Sequence, residues 1–260
     1  MKRILMRQSM PISSRLFYSP PIFRSFPELI AAESTRHGGV SEPPYASLNL
    51  GGSTQDDPEH VAENRRRFYA SLGIAADQVA SSHQVHGSKT WVTDQPGRQQ
   101  GHDAVLTNQP GVFTLVTVAD CTPILVYDAG TKAVAAIHAG WRGTVAGIVA
   151  KTLQTMQKQY GTQPKDCYGY VGTCIDECSF EVGADVADHF ISEFKRWDET
   201  REKFFVNLKA ANAQQLRNFG IPEHQIEISP YSTVLNNQDY FSHRLEKGLT
   251  GRMVAIIGRK

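Results

Sequence analysis

The stretch Val112–Thr144, VFTLVTVADCTPILVYDAGTKAVAAIHAGWRGT, decides how the rest of the chain is read. It divides into three short apolar runs, each closing on a reactive or turn-forming group. The first ends at Ala119-Asp120-Cys121, and the second, Pro123 to Tyr127, enters the turn Asp128-Ala129-Gly130. The third, Ala133 to Ile137, delivers His138 into Ala139-Gly140-Trp141-Arg142-Gly143. Short apolar runs bounded by turn residues read as buried strands. Such strands hold their ends rigidly, so a thiol and an imidazole at the ends of adjacent strands are candidates for one site.

Working outward, helices and further strands alternate on both sides. Asp56-Asp57-Pro58 is a helix start, with Val61, Phe68 and Leu72 on one face and Gly73 as the stop. Asn64 and Arg65 within it read as solvated. Thr90 to Val92 and Asp103 to Thr107 are short strands, and Asp94 to His102 is a polar loop. Thr144 to Tyr160 is predicted as a helix with Val145, Ile148, Val149 and Met156 inward. Its N-terminus follows Arg142, an arrangement suited to an anion. Cys167 to Val171 is a strand, Gly172 to Gly183 an irregular loop, and Ala184 to Trp197 an amphipathic helix. Leu208 to Phe219 is another helix, with strands at Ile226 to Ser229 and Met253 to Ile257. The predicted fold is α+β (mixed α/β), with mixed sheets layered with helices. Residues 28–260 form one catalytic domain, and residues 1–27 are a poorly ordered basic extension.

That extension carries Lys2, Arg3, Arg7, Arg15 and Arg24 with no acidic residue before Glu28. It lacks the apolar centre of a secretory signal, although its composition is also that of an organellar transit peptide. With a net charge of +1 and 20% charged residues, the chain offers no nucleic-acid surface. No apolar run is long enough to span a membrane. The four cysteines, at 121, 167, 174 and 178, match neither a disulfide framework nor a common zinc pattern. Reduced thiols in a cytoplasmic protein are expected.

From residue types alone, Cys121, His138 and one of His83 or His86 form the best constellation. Two chemistries fit. One thiolate and two imidazoles can hold a zinc ion and leave a position open for water or substrate. Alternatively, Cys121 is a nucleophile activated by His138.

Several words of the sequence stand in a recognisable order: TRHGGVS at 35–41, YASLNLG at 45–51, DDPEHVAENR at 56–65, QVHG at 84–87 and DAVLT at 103–107. ADCTP at 119–123, HAGWRGT at 138–144, FEVG at 180–183, and FSHR and TGR near the end complete the series. In these the chain resembles the YfiH family, also labelled laccase-domain or multicopper polyphenol oxidase and associated with purine nucleoside phosphorylase activity. The resemblance implies a metal triad of His86, Cys121 and His138, and so selects His86 over His83. It implies Zn(2+) as the cofactor, with Cu(2+) possible by substitution. It implies phosphorolysis of adenosine, inosine and methylthioadenosine, with adenosine deamination as a second activity. The expected partners are a purine nucleoside and phosphate, and Asn49, Arg65, Arg142 and Arg252 are the candidates for holding them. The implied fold is similar to that of a Cys-His deamidase toxin. This keeps a Cys-His amide hydrolase acting on a cell-wall peptide precursor as the alternative.

Copper-dependent polyphenol oxidation is expected only as an in vitro activity. The nine histidines include no H-x-H pair of the kind that bridges coppers in four-copper oxidases. The sequence departs from the family pattern at Gly172-Thr173-Cys174-Ile175-Asp176, at Ser232-Thr233 and at His243. These departures bear on the walls of the substrate pocket and not on the presumed ligands.

Overall fold

The structure, a computed structural model, describes residues 16–260. The three predicted central strands form, at Phe113–Val118, Thr122–Asp128 and Val134–Ala139. They do not share a sheet. Phe113–Val118 lies between Met253–Arg259, antiparallel, and Val79–His83, parallel, in a six-stranded mixed sheet. Thr122–Asp128 and Val134–Ala139 pair with each other in the middle of a second six-stranded mixed sheet. The chain therefore crosses between sheets at Ala119-Asp120-Cys121. Asp120 makes the corner with φ 79°, in the left-handed region that Asp tolerates better than most residues.

Period-2 alternation explains why both sheets are buried on both faces. From the second sheet, Leu125, Tyr127, Val134 and Ala136 face the first, where Val116, Ala255 and Ile257 meet them. Their neighbours Ile124, Val126, Ala135 and Ile137 point outward, under the helices Ile148–Tyr160 and Leu208–Phe219. On the far side, Phe68 of helix Pro58–Leu72 packs on Phe113, Leu115, Val254 and Ile256 of the first sheet. The result is four layers, helix on sheet on sheet on helices. This is the mixed α/β architecture that the apolar runs predicted.

Helix Pro58–Leu72 starts as expected: the Asp57 side chain accepts from Glu59 N, and Gly73 closes it with φ 69°. Asn64 is not solvated, however. It is fully buried, and its side-chain amide donates to Ser41 Oγ and to the carbonyls of Ser47 and Asn49.

Four further expectations are corrected. The helix predicted from Thr144 begins earlier, as a short turn Trp141–Val145. It breaks at Gly147, φ 73°, before Ile148–Tyr160 continues. The helix predicted over Ala184 to Trp197 survives only as Ala184–Ala187. Lys195–Asp198 instead forms a hairpin with Lys203–Val206 in a small third sheet, which leaves Trp197 44% exposed. The expected loop from Asp94 to His102 contains an exposed edge strand, Gly97–Gln100, parallel to Val79–His83. Residues 16–27 are not a poorly ordered extension. Phe17–Tyr18 pairs antiparallel with an unanticipated strand, Leu29–Ser34, and Phe23 is buried in the core between the sheets. The rest of the predicted extension lies outside the described residues.

Candidate metal centre

His138 is set by its strand. It lies two residues beyond Ala136 on the face toward the first sheet, and it is buried. Cys121 follows the Asp120 corner, and Cys121 Sγ comes beside the His138 ring. His86 arrives from a loop, at φ 59°, with its side chain exposed. One ligand atom from each of these three residues lies within 4.8 Å of the other two. The two imidazole rings meet edge to face, 4.9 Å between centroids. His83 lines the same cleft, outside this cluster.

One buried residue organises the group, and sequence reasoning passed over it. Asp103 Oδ1 bonds His138 Nδ1 at 2.8 Å and accepts from His86 N at 2.9 Å. Asp103 Oδ2 accepts from Val85 N and Gly87 N at 3.2 and 2.8 Å. A single carboxylate thus shapes the His86 loop, fixes the His138 tautomer and leaves His138 Nε2 for the site. Carboxylates on ligand histidines play this part in metal sites generally. The D of DAVLT was the available signal, but nothing local marks an Asp at the start of a strand as the partner of two distant histidines.

The electrostatics follow from this packing. Burial alone would push the Cys121 thiol up, yet the adjacent His138 and His86 rings bring it down to about 6. Burial would likewise depress His138, but the Cys121 thiolate and Asp103 carry it up to about 9. Asp103 is held below the usual carboxylate range, its burial outweighed by His138 and the loop amides. The resting metal-free pair is therefore thiolate and imidazolium. Gly140 forms the floor. A Cβ there would stand 3.0 Å from Cys121 Sγ and 3.1 Å from the His86 ring, so any side chain would press on the thiol and ring where they converge. The donor set, one low-pKa thiol and two imidazoles with a carboxylate behind, suits a divalent zinc or copper ion.

Among the described residues, this is the one such grouping of His, Cys, Asp or Glu. All four cysteines are free, and burial pushes the Cys167 and Cys174 thiols up to about 12, so both are inert.

The cluster opens into a cleft of about 470 Å³, the size of a small-molecule site. Four arginines line it, Arg65, Arg98, Arg244 and Arg252, against one carboxylate, Asp120. That carboxylate is occupied: it accepts from Thr233 Oγ1 at 2.5 Å and from Arg244 N at 2.6 Å. The four residues predicted to hold substrate are divided by the geometry. Arg65 and Arg252 line the cleft. Arg142 lies outside the lining residues, with its guanidinium 4.4 Å from the centroid of the Trp141 ring. Asn49 is fully buried behind the wall. One departure from the family pattern, His243, is a wall residue, and so is Ile175 within the second departing segment.

Known proteins resemble this one in both sequence and shape. A purine nucleoside phosphorylase of Deinococcus radiodurans is 39% identical over 229 residues, covering 87% of this chain and 88% of that protein. The Escherichia coli purine nucleoside phosphorylase YfiH is 35% identical over 232 residues, 87% of this chain and 92% of its own. The crystal structure of YlmD from Geobacillus stearothermophilus superposes with a TM-score of 0.89 at 32% identity, over 95% of this chain and 97% of that one. YfiH of Bacillus licheniformis gives 0.85 at 30% identity, over 89% and 93%. Residues 30–260, which carry the triad, the Asp103 hub and the arginine-lined cleft, match the family described as multi-copper polyphenol oxidoreductase laccase, and the chain belongs to that family.

Proposed function

We propose that the protein is a metal-dependent purine nucleoside phosphorylase with His86, Cys121 and His138 as its metal ligands. The observation that carries this reading is the opening of the three-ligand cluster into a cleft with four arginines and one carboxylate. The names of its relatives agree with it. Three protein ligands leave a place for a non-protein ligand, as in catalytic rather than structural zinc sites. A zinc ion held there supplies Lewis acidity and can lower the pKa of a bound water to about 7.

The protein's own residues supply the rest. In phosphorolysis the C1′–N9 bond breaks and its electron pair leaves on the base. A phosphate oxygen bonds to C1′, and the proton of the phosphate monoanion balances the departing base. Negative charge must be brought to C1′ and held there, which the arginines do in a cleft walled by Leu115, Val118 and Val254. Adenosine deamination is the proposed second activity. Asp120 is the one carboxylate lining the cleft, and its two oxygens accept from Thr233 and Arg244. Cu(2+) would compete for the same donors, and polyphenol oxidation follows from that substitution. Free thiols fit a reducing cytoplasm, and no helix of the described residues is long and apolar enough to cross a membrane.

One observation favours a second reading. Asp103, His138 and Cys121 are arranged as a hydrolase triad, with the thiol already at about 6. Phosphate separates the two. Purified protein incubated with adenosine or inosine should contain about one zinc per chain by elemental analysis. It should release free base only when phosphate is added. Cys121→Ala should lose the metal and at least about a thousandfold in kcat/KM. Zinc without nucleoside turnover would eliminate the phosphorylase reading and favour the amide hydrolase.

A further inference from the structure

Arg65 and Arg252 come from opposite ends of the sequence, yet they flank the same two residues. A Cβ on Gly52 would lie 2.9 Å from Arg65 Nη2, and one on Gly51 would lie 2.5 Å from Arg252 Cγ. Each guanidinium is held from behind by carbonyls. Arg65 gives Nε and Nη2 to Leu50 O, both at 3.0 Å, and Arg252 gives Nη1 to Thr250 O and Gly251 O. Arg65 Nη1 and Arg252 Nε and Nη2 remain uncommitted, and neither side chain has a carboxylate partner among the described residues. Nothing among the described residues accepts from the N–H groups of Gly52 and Ser53. Two half-buried cations with no carboxylate bonded to them, astride a glycine turn with free amides, are the makings of an anion cradle.

The register of the two arginines is fixed by a buried pair of asparagines. Asn64 sits one residue before Arg65 on helix Pro58–Leu72, and its Nδ2 donates to Asn49 O at 3.0 Å. Asn49 Oδ1 accepts from Gly51 N at 3.0 Å and from Arg252 N at 2.8 Å. Its Nδ2 donates to Thr54 Oγ1 and Asp56 Oδ2 at 2.9 and 2.8 Å. The bracket Asn64–Asn49 therefore joins the helix bearing Arg65, the glycine turn and the strand start bearing Arg252. Arg252 feels the charges of Asp120 and Cys121, which places this cradle beside the triad.

We infer that Arg65 and Arg252, clasping Gly51-Gly52, form the subsite for the orthophosphate that attacks C1′. Asn49 acts as their positioning residue. Arg142 and the short helix beside it take no part. This rests on the phosphorylase reading, and the test keeps the two apart.

Arg65→Gln, Arg252→Gln, Asn49→Ala, Gly52→Ala and, as a control, Arg142→Gln would be compared with the parent for KM of phosphate and of inosine separately. Orthophosphate and a nucleoside 5′-monophosphate would also be titrated by calorimetry. Folding of each variant is checked by its melting transition. Gly52→Ala keeps both charges and shifts Arg65 alone, so it serves if a charge-removing variant fails to fold. The expected result is about a tenfold or greater rise in KM for phosphate in the arginine variants, since each removes a charge-assisted bond. A smaller rise is expected in Asn49→Ala and Gly52→Ala, with KM for inosine and the Arg142→Gln control unchanged. Phosphorolysis with an unaltered phosphate KM in Arg65→Gln and Arg252→Gln overturns the subsite and leaves the function standing. Binding of the monophosphate but not of orthophosphate also overturns it. A parent protein that binds orthophosphate through these arginines but releases no base loses the phosphorylase reading and keeps the anion cradle.

Discussion

The two walls of the cleft are built differently. On the triad wall, Cys121 immediately precedes strand Thr122–Asp128 and His138 lies within its partner Val134–Ala139, both strands buried throughout, and one carboxylate ties in the His86 loop. The facing wall combines Arg65 of helix Pro58–Leu72, a glycine turn and strand residues Leu115, Val118 and Val254. Its glycine turn is tied by Asn49, and the Arg244 backbone is held to Asp120 by a single hydrogen bond. Metal chemistry tolerates errors of a few tenths of an ångström and no more, and core strands provide that precision. The facing side relies on polar ties, and it carries His243, one of the positions that depart from the family pattern. The difference teaches that the His-Cys-His group is placed by core strands and one buried carboxylate, and the arginine side by ties from side chain to backbone.

Three experiments break or sharpen that contrast. The largest effect is expected from Asp103→Asn, which keeps volume but removes the charge that joins the His86 loop to His138. Metal affinity should fall by about 10- to 100-fold, as for other carboxylates behind ligand histidines. Competition with a chromogenic chelator reads it, and unchanged affinity would show that the core alone positions the ligands.

Next is the state of the thiol in metal-stripped protein. The thiolate reacts and the thiol does not, so alkylation by iodoacetamide should rise with pH and reach its half-maximum near 6. Below that pH the rate should drop about tenfold per pH unit, following the thiolate fraction. In His138→Ala the midpoint should move up toward an ordinary thiol. An inflection already near 9 in the parent would mean that the rings do not share their charge with the thiol.

The smallest change is expected from Asp120→Asn, at the corner where the two sides meet. One of its two acceptors is lost, a hydrogen bond contributing about 1 kcal/mol, so KM for nucleoside should rise about fivefold while metal content stays at the parent level. Loss of metal in that variant would mean that the Asp120 corner, and not packing, places Cys121.

Much of the sandwich was legible because its signals are local. Asp57-Pro58 with Gly73, and the largely apolar runs at 113–118 and 122–128, need no distant partner to be read. The misreadings share one cause. Leu29–Ser34, LIAAES, has little strand propensity of its own and becomes a strand because Met253–Arg259 pairs with it. Ala184 to Trp197 shows helical spacing, but a hairpin from Lys195 offers its backbone another partner. The triad became readable only through family resemblance, since its members lie 35 and 17 residues apart. The roles of Asp103 and Asn64 stayed hidden, and Asn49 was legible only as a substrate candidate, because a buried hydrogen-bond hub leaves no periodic trace.

The placement of Met253–Arg259 has a consequence for synthesis. This strand lies between Leu29–Ser34 and Phe113–Val118, so the first sheet stays split until residue 259 has left the ribosome. Arg252 stands at its leading edge. While the gap is open, two apolar strands carry unpaired edges for roughly the 10–30 seconds needed to translate the intervening residues, a period when edge-to-edge association competes with folding. Insertion of that one strand closes the sheet and brings Arg252 opposite Arg65, so a chain stalled short of it would be both sticky and unable to assemble its anion cradle.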